Sequence, residues 1–305
     1  MGLLDDKVVI VTGAGRGIGR GEALECAHQG AAVVVAEFDQ DHGETVAKEI
    51  VAAGGGAIAV SGDVADADVA DALVSTALGE FGGLDALVNN AGIIRDRTLA
   101  KMTEEDWDAV IRVHLRGHFL PTRAAMRYWR EAKRPGHVVS TASTSGLLGN
   151  FGQTNYGAAK AGIAAFSTIV AMEGARVGIT SNAIAPTALT HMTLDLMPQE
   201  FKDAREAKIA DGEFDFFAPE NVAPLVAFLC SDASEHISGK VFGVQGDSIE
   251  IFQPFTSVAE VKNDGRRWDP EDIPGRIDEL FTASGVQAGA ENMMARMRYQ
   301  ILGER

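Results

Sequence analysis

The chain has 305 residues, 46% hydrophobic and 23% charged, with a formal net charge of -16. That length is long for one core and short for two ordinary ones, so one large domain with a tail and two unequal domains both fit. The acidic balance argues against nucleic-acid and acidic-membrane surfaces, and no apolar run reaches the ~20 residues of a membrane span.

Val8-Val9-Ile10-Val11 is a continuous apolar run, which suits a strand buried on both faces of a parallel sheet. Thr12-Gly13-Ala14-Gly15-Arg16-Gly17-Ile18-Gly19 follows, then an amphipathic helix to about Gln29 with Gly30 in a C-cap position. Strand, glycine turn and helix together cradle a pyrophosphate on backbone N–H groups at a helix N-terminus. The common spacing G-x-G-x-x-G does not fit. G-x-x-x-G-x-G does, through Gly13, Gly17 and Gly19. The plain alternative is a tight strand-to-helix turn with no ligand.

The next strand, Ala31 to Ala36, ends in Glu37. A carboxylate there accepts hydrogen bonds from adenosine ribose hydroxyls and repels the 2′-phosphate of NADP. Arg16 pulls the other way, because a guanidinium in the turn can pair with that phosphate. Glu37 would lie against the ribose itself, so NAD is favoured over NADP. A helix from about His42 to Ala53 and a strand from Ala57 to Val60 lead to Asp63 and Val64, at a strand end of the kind that lines a ligand crevice. Asp63 either meets the adenine amino group or caps the helix beginning near Asp66. The fourth strand, Leu84 to Val88, runs into Asn89-Asn90-Ala91-Gly92, whose small and amide residues permit close backbone approach to a flat ligand.

Thr103 and Asp106 resemble a capping box at the head of a helix that runs past Trp107 and His114 to about Arg130. After a strand from Gly136 to Ser140 comes Ser143, then Tyr156 and Lys160. Helical positions i and i+4 share a face, which brings an ammonium close to a phenol. A free phenol has a pKa of roughly 10 and a nearby cation favours the phenolate, which gives a proton donor and acceptor usable near neutral pH. The pair by itself is weak evidence, since Tyr and Lys four apart occur on many helices.

A strand from Ile179 to Ile184 ends in a segment holding Pro186, Thr187 and Thr190. Residues 191–217 mix polarities and read as a partly helical loop that covers a substrate. A helix from about Pro219 to Ser231 and a last strand from Gly239 to Val244 complete seven alternations. These imply an α/β fold, a doubly wound parallel sheet of Rossmann type. From Ile251 onward aromatic, charged and proline residues mix, and two short helices, Glu271 to Ala283 and Ala290 to Leu302, make a C-terminal helical tail too small for its own core. The expected organisation is a catalytic domain over residues 1–250 and an extension over 251–305 that packs on it or on a neighbouring subunit.

Cys26 and Cys230 lie in apolar helical contexts, which points to buried free thiols rather than a disulfide. No Cys/His cluster has zinc spacing, so no metal is expected. Met1 to Lys7 does not read as a signal peptide, and the myristoylation pattern opened by Gly2 fails where Ser or Thr is required. A cytoplasmic location is expected.

Taken in order, Thr12-Gly13-x-x-x-Gly17-x-Gly19, Asn89-Asn90-Ala91-Gly92, Ser143, Tyr156-x-x-x-Lys160 and Pro186 with Thr190 resemble the short-chain dehydrogenase/reductase family over about residues 5–250. The stretches Asn90 to Arg97, Arg112 to Gly117, Gly149 to Tyr156 and Ile184 to Pro186 are similar to the (3R)-hydroxyacyl-CoA dehydrogenase domains of peroxisomal multifunctional enzymes. The resemblance implies an NAD-dependent oxidoreductase of lipid metabolism that interconverts a secondary alcohol and a ketone. Its substrate would be a 3-hydroxyacyl-CoA or a bulky, steroid-like alcohol. Tyr156 would move the hydroxyl proton, Lys160 would lower its pKa and hold the nicotinamide ribose, and Ser143 would hydrogen-bond the substrate oxygen as charge develops there. Thr190 and the backbone near Pro186 would hold the carboxamide, and Asn90 would shape the crevice. The implied dinucleotide set is Gly13, Arg16, Gly17, Ile18, Gly19, Glu37, Asp63, Val64, Asn90, Ala91, Gly92, Tyr156, Lys160, Pro186 and Thr190.

Two positions depart from the pattern. His114 stands where the family has a catalytic Asn; it takes either that role or that of a helix His satisfied by its neighbours. Thr187 stands where Gly is usual. An NADPH-dependent 3-oxoacyl carrier-protein reductase is a rival that Arg16 permits and Glu37 disfavours. A non-catalytic dinucleotide sensor is a second, against which the intact Ser143, Tyr156 and Lys160 argue. The family also implies homodimers or homotetramers paired through the helices over residues 103–130 and 153–177.

Overall fold

The computed structural model describes residues 2–190, 194, 197–253 and 255–290. The chain divides into two compact units, Met1–Phe252 and Gln253–Arg305. The strands of the first are β1 (Val8–Thr12), β2 (Ala32–Glu37), β3 (Ala57–Ser61), β4 (Ala86–Asn89), β5 (Gly136–Thr141), β6 (Ile179–Thr187), β7 (Val241–Gln245) and β8 (Ser248–Phe252). They form one sheet in the order β3-β2-β1-β4-β5-β6-β7-β8.

Pairing is parallel throughout except between β7 and β8. The continuous apolar runs reflect burial on both faces. Val9, Val11, Val33 and Val35 face one core layer, shared with Ala23 and Cys26 of helix α1 (Gly17–His28) and with Val226 and Leu229 of a later helix (Ala223–Leu229). Ile10, Val34 and Leu87 face the other, with Leu73, Trp129 and Val170. Trp129 is fully buried and donates its indole N–H to the carbonyl of Leu84 at 2.7 Å. Cys26 and Cys230 are buried and free.

The sequence predicts seven strands and the structure has eight. The extra one, Ser248-Ile249-Glu250-Ile251-Phe252, returns antiparallel through the turn at Gly246, whose φ is +51°. Its alternation was hidden because Ile249 and Ile251 are the exposed residues, the reverse of the usual pattern for a half-buried strand.

Helix α2 (Gln40–Ala52) is N-capped by Asp39, and α3 (Ala67–Phe81) follows β3. The single long helix expected over 102–130 is three segments: α4 (Glu104–Ile111), a π-helical turn (Arg112–Arg116) and α5 (Gly117–Ala132). Thr103 caps α4 as its spacing predicts, accepting from the Asp106 N–H at 3.1 Å. The π turn inserts an extra residue into the helical ladder and re-aims the side chains around it. Gly117 closes it against the loop before α3, where a Cβ would lie 2.9 Å from Val64 Cγ2.

Then come α6 (Thr144–Leu148), α7 (Thr154–Gly174), α8 (Gln199–Ala210) and α9, the Ala223–Leu229 helix. Helix α8 lies within the segment expected to cover a substrate; residues 191–193, 195 and 196 of that segment are outside the described residues. In the second unit, α10 (Ile273–Ser284) matches the first expected tail helix, and Arg276 on it stacks over Trp268 at 5.9 Å. The second, Ala290 to Leu302, lies outside the described residues beyond Ala290. No helix among the described residues is long and apolar enough to cross a membrane.

Candidate active site

The strand order reverses beside β1, which has β2 on one side and β4 on the other. Connections leave that point in opposite directions and open a crevice at the carboxyl ends of the strands. Thr12, the last residue of β1, holds its walls together. Its hydroxyl accepts the N–H groups of Asn90 at 3.0 Å and Ala91 at 3.2 Å and donates to the Val88 carbonyl at 3.3 Å. Asn90 returns the contact, its side-chain amide donating to the carbonyls of Thr12 at 3.1 Å and Gly13 at 3.2 Å.

The glycine turn needs its glycines. Gly13 and Gly17 have φ of +64° and +55°, in the left-handed region that other residues avoid. A Cβ on Gly19 would lie 2.2 Å from the Gly13 carbonyl oxygen. Arg16, the N-cap of α1, makes no side-chain bond to the first turn, and that turn holds no acidic residue. Its amides therefore offer an anion a helix N-terminus without a protein cap. The Glu37 carboxylate lies alongside, accepting the N–H of Gly15 at 2.8 Å and that of Phe38 at 2.9 Å.

A cleft of about 960 Å³ runs along this edge, lined by Gly13, Arg16, Gly17, Ile18, Glu37, Asp63, Val64, Asn90, Ala91, Gly92 and Thr190. Of the expected dinucleotide set, Gly19, Tyr156, Lys160 and Pro186 lie outside that lining. Gly19 packs on Gly13, and Pro186 belongs to β6. From β2 to β5 is three strand spacings, roughly 14 Å. An uncapped helix N-terminus with a carboxylate at one end of such a cleft fits the pyrophosphate and adenosine ribose of a dinucleotide.

Asp63 lines the cleft and does not cap the helix that follows. One carboxylate oxygen accepts from the Ala65 N–H at 2.8 Å, closing the turn before α3, and the other pairs with Arg112. Asp66 is the N-cap of α3.

Beyond Asn90 the crevice meets the end of β5. Ser143 caps α6, its hydroxyl accepting the Ser145 N–H at 3.2 Å. Asn155 anchors the start of α7, donating to the carbonyls of Arg95 at 2.9 Å and Asp106 at 3.1 Å and accepting the N–H of Tyr156 at 2.8 Å. One turn on, Lys160 is 2% exposed, donates to the Thr141 carbonyl at 2.5 Å and lies 5.5 Å from the centre of the Tyr156 ring. The π turn presents His114 edge-on to that ring, with centres 5.2 Å apart and planes at 89°. His114 Nε2 faces both the N–H of Ile93 at 3.1 Å and its carbonyl at 2.8 Å. A neutral ring satisfies one or the other according to its tautomer.

Burial governs the protonation of this group. It pushes the Tyr156 phenol up to about 12, against a downward pull from the Ser143 hydrogen bond. It pulls the Lys160 ammonium down to about 7, partly offset by Glu22. It pulls His114 down to about 3, so the imidazole is neutral at physiological pH. Among the protein's own groups, burial sets the direction of the shift at the phenol. Desolvation of the phenol outweighs the Ser143 hydrogen bond, and it also disfavours the amine as a cation.

Glu22 is what the sequence reading missed. It lies on the buried face of α1, neither carboxylate oxygen has a hydrogen-bond partner among the described residues, and burial pushes it up to about 8 against the pull of Lys160. The available signal was a carboxylate at i+4 from Ile18 and i−4 from Cys26, within an apolar stripe.

A family model described as short chain dehydrogenase matches residues 7–200. The hydroxyacyl-CoA dehydrogenase ChsB1 of Mycobacterium tuberculosis is 41% identical over 91% of this chain and 89% of its own length. The peroxisomal multifunctional enzyme type 2 of Mus musculus is 42% identical over 77% of this chain but only 31% of its own. The crystal structure of a short chain dehydrogenase from Mycobacterium avium superposes with a TM-score of 0.82 at 43% identity, covering 93% of this chain and 97% of that one.

Glu22 supplies a stability test. Its folded pKa is raised from 4.5 to about 8, so the folded state binds the extra proton between those values and stability falls as pH rises through that window. Glu22→Gln has no such proton to lose. The variant should therefore gain thermal stability over the parent progressively from pH 5 to pH 9, measured by melting curves. A pH-independent difference would show that the carboxylate is not protonated in the fold.

Proposed function

The chain belongs to the short-chain dehydrogenase family, oxidoreductases that act on a CH–OH group with a nicotinamide dinucleotide, and on that premise we propose an NAD-preferring 3-hydroxyacyl-CoA dehydrogenase. The observation that carries this reading is the meeting of Ser143, Tyr156 and Lys160 at the carboxyl end of β5, beside a cleft that presents bare α1 amides and Glu37. The names of the ChsB1 and multifunctional-enzyme relatives support the thioester class.

When bound, the dinucleotide supplies the two-electron acceptor or donor for the substrate carbon. The chain's own groups handle the proton and the oxygen. In oxidation Tyr156 takes the hydroxyl proton, and in reduction it returns one to the carbonyl oxygen. Ser143 donates to that oxygen as charge changes on it. A phenol near 12 stays protonated at neutral pH and leaves little phenolate to act as base, so Lys160 serves chiefly when protonated, and the Thr141 carbonyl holds its amine in place. His114 stays neutral and braces the Tyr156 ring from the π turn. Thr190, buried at the edge of the cleft, and the β6 end at Pro186 and Thr187 support the carboxamide end of the cofactor. Residues 191–217 act as the substrate cover.

Glu37 sets the cofactor preference by placing a carboxylate where NADP carries a phosphate, although Arg16 lines the same cleft. Self-association follows from the surface. Phe119 on α5, Ile169 and Met172 on α7, and Ile249 and Ile251 on the edge strand β8 are large apolar side chains left exposed, and an exposed strand edge is itself a pairing surface.

Tyr156→Phe is expected to lower kcat by about 10²–10⁴-fold while NADH still binds, seen by nucleotide fluorescence; normal turnover would remove Tyr156 from the proton path. The parent protein should prefer NAD to NADP, and Glu37→Ala should narrow that preference by raising kcat/KM for NADP. Light scattering should give a dimer or tetramer, and a monomer at micromolar concentration would refute the assembly.

A further inference from the structure

A chain of net charge -16 repels a polyanionic substrate at long range. A coenzyme A thioester, with a pyrophosphate and a 3′-phosphate at the end remote from the reacting carbon, therefore needs local cations near the entrance. The cleft wall beyond Gly92 carries two, Arg95 and Arg97. Both side chains are exposed, and each has one hydrogen bond, to a backbone carbonyl of its preceding residue: Ile94 at 2.8 Å for Arg95 and Asp96 at 2.8 Å for Arg97. Neither has an ion-pair partner among the described residues, whereas Arg112 close by is paired with Asp63.

The segment is fixed where a substrate must pass. The Arg97 N–H bonds the Gly152 carbonyl at 2.9 Å, Gln153 donates to the Asp96 carboxylate at 2.8 Å, and the Asn155 side chain donates to the Arg95 carbonyl at 2.9 Å. Tyr156 is the next residue. The one carboxylate between the two arginines is half-buried and turned to Gln153, and its field reaches Tyr156. The arginines thus face outward with their charge uncompensated, and the acid faces inward. They are also remote in the sheet from Glu37, which ends β2, while the segment they occupy follows β4 and is tied to the chain after β5. Cofactor recognition and this pair occupy different ends of the crevice.

We propose that Arg95 and Arg97 form an anionic subsite that holds the phosphates of a coenzyme A thioester, with the acyl part running inward past Gly152 toward Tyr156. This rests on the thioester reading above and names the residues that would select the carrier. Guanidinium forks pair with phosphate oxygens in two-point contacts that a carrier without phosphates cannot make.

The test compares one 3-hydroxyacyl group on two carriers, coenzyme A and N-acetylcysteamine, which lacks the nucleotide. In Arg95→Gln/Arg97→Gln the ratio of kcat/KM for the two carriers should fall by about tenfold or more. In the parent protein, added salt should raise KM for the coenzyme A thioester and leave that for N-acetylcysteamine level. An unchanged ratio together with equal salt responses would overturn the subsite, as would turnover confined to acyl-carrier-protein thioesters. If the parent turns over neither thioester, the dehydrogenase reading fails separately. Titrating free coenzyme A into the NADH-loaded protein then decides: binding weakened by the double variant supports the subsite, and no binding ends it.

Discussion

A buried amine beneath the Tyr156 phenol is the constraint that organises this site. Lys160 is all but removed from water, and an unpartnered ammonium there would be strongly unfavourable. The Thr141 carbonyl takes one of its protons, which requires β5 to end beside the second turn of α7. That approach is close. A Cβ on Gly146 of α6 would lie 2.4 Å from the Ala161 backbone nitrogen, so only glycine lets the helix after Ser143 pack on α7. Glu22, on α1, supplies the opposing field and is as deeply buried as the amine. Burial disfavours the charge on each group, and each pulls the other part of the way back toward its charged form.

The crevice inherits its dimensions from the sheet. Parallel strands deliver their carboxyl ends to one edge, so Gly13, Glu37, Asn90 and Ser143 come from four strands and meet without any long-range design of loops. Thr12 and Asn90 lock β1 to the exit of β4 through four hydrogen bonds between them and the adjacent backbone. The glycine turn then has no freedom to drift, which suits a site whose anion contacts come from backbone amides rather than from flexible side chains.

The parts that were legible in the sequence are those with a strict local signature. Apolar runs bounded by glycines gave seven strands because burial on both faces leaves nothing to alternate. Gly13, Gly17 and Gly19 were legible because backbone geometry forbids other residues there. What escaped depends on tertiary surroundings. The strand β8 turns its isoleucines outward, so its pattern inverts. The π turn at Arg112 to Arg116 has no compositional mark, since its residues are ordinary helix formers. The effect of burial on Tyr156 and Lys160 was not legible, because spacing reports that two groups are close but not how dry their surroundings are. Glu22 went unnoticed for the same reason: its isolation is a property of what packs on α1.

His114 shows how a departure at one position is absorbed by a local irregularity. One inserted residue rotates the side chains around it by about 100°, and in the π turn His114 lies edge-on to the Tyr156 ring. There it is as buried as Lys160, and the field of that amine adds to desolvation in keeping it uncharged. A neutral imidazole is both donor and acceptor, and Ile93 offers a carbonyl and an N–H to the same ring nitrogen. The tautomer decides which of the two it satisfies, and Nδ1 has no hydrogen-bond partner among the described residues. The π turn therefore sets a ring that its surroundings keep neutral edge-on against the phenol.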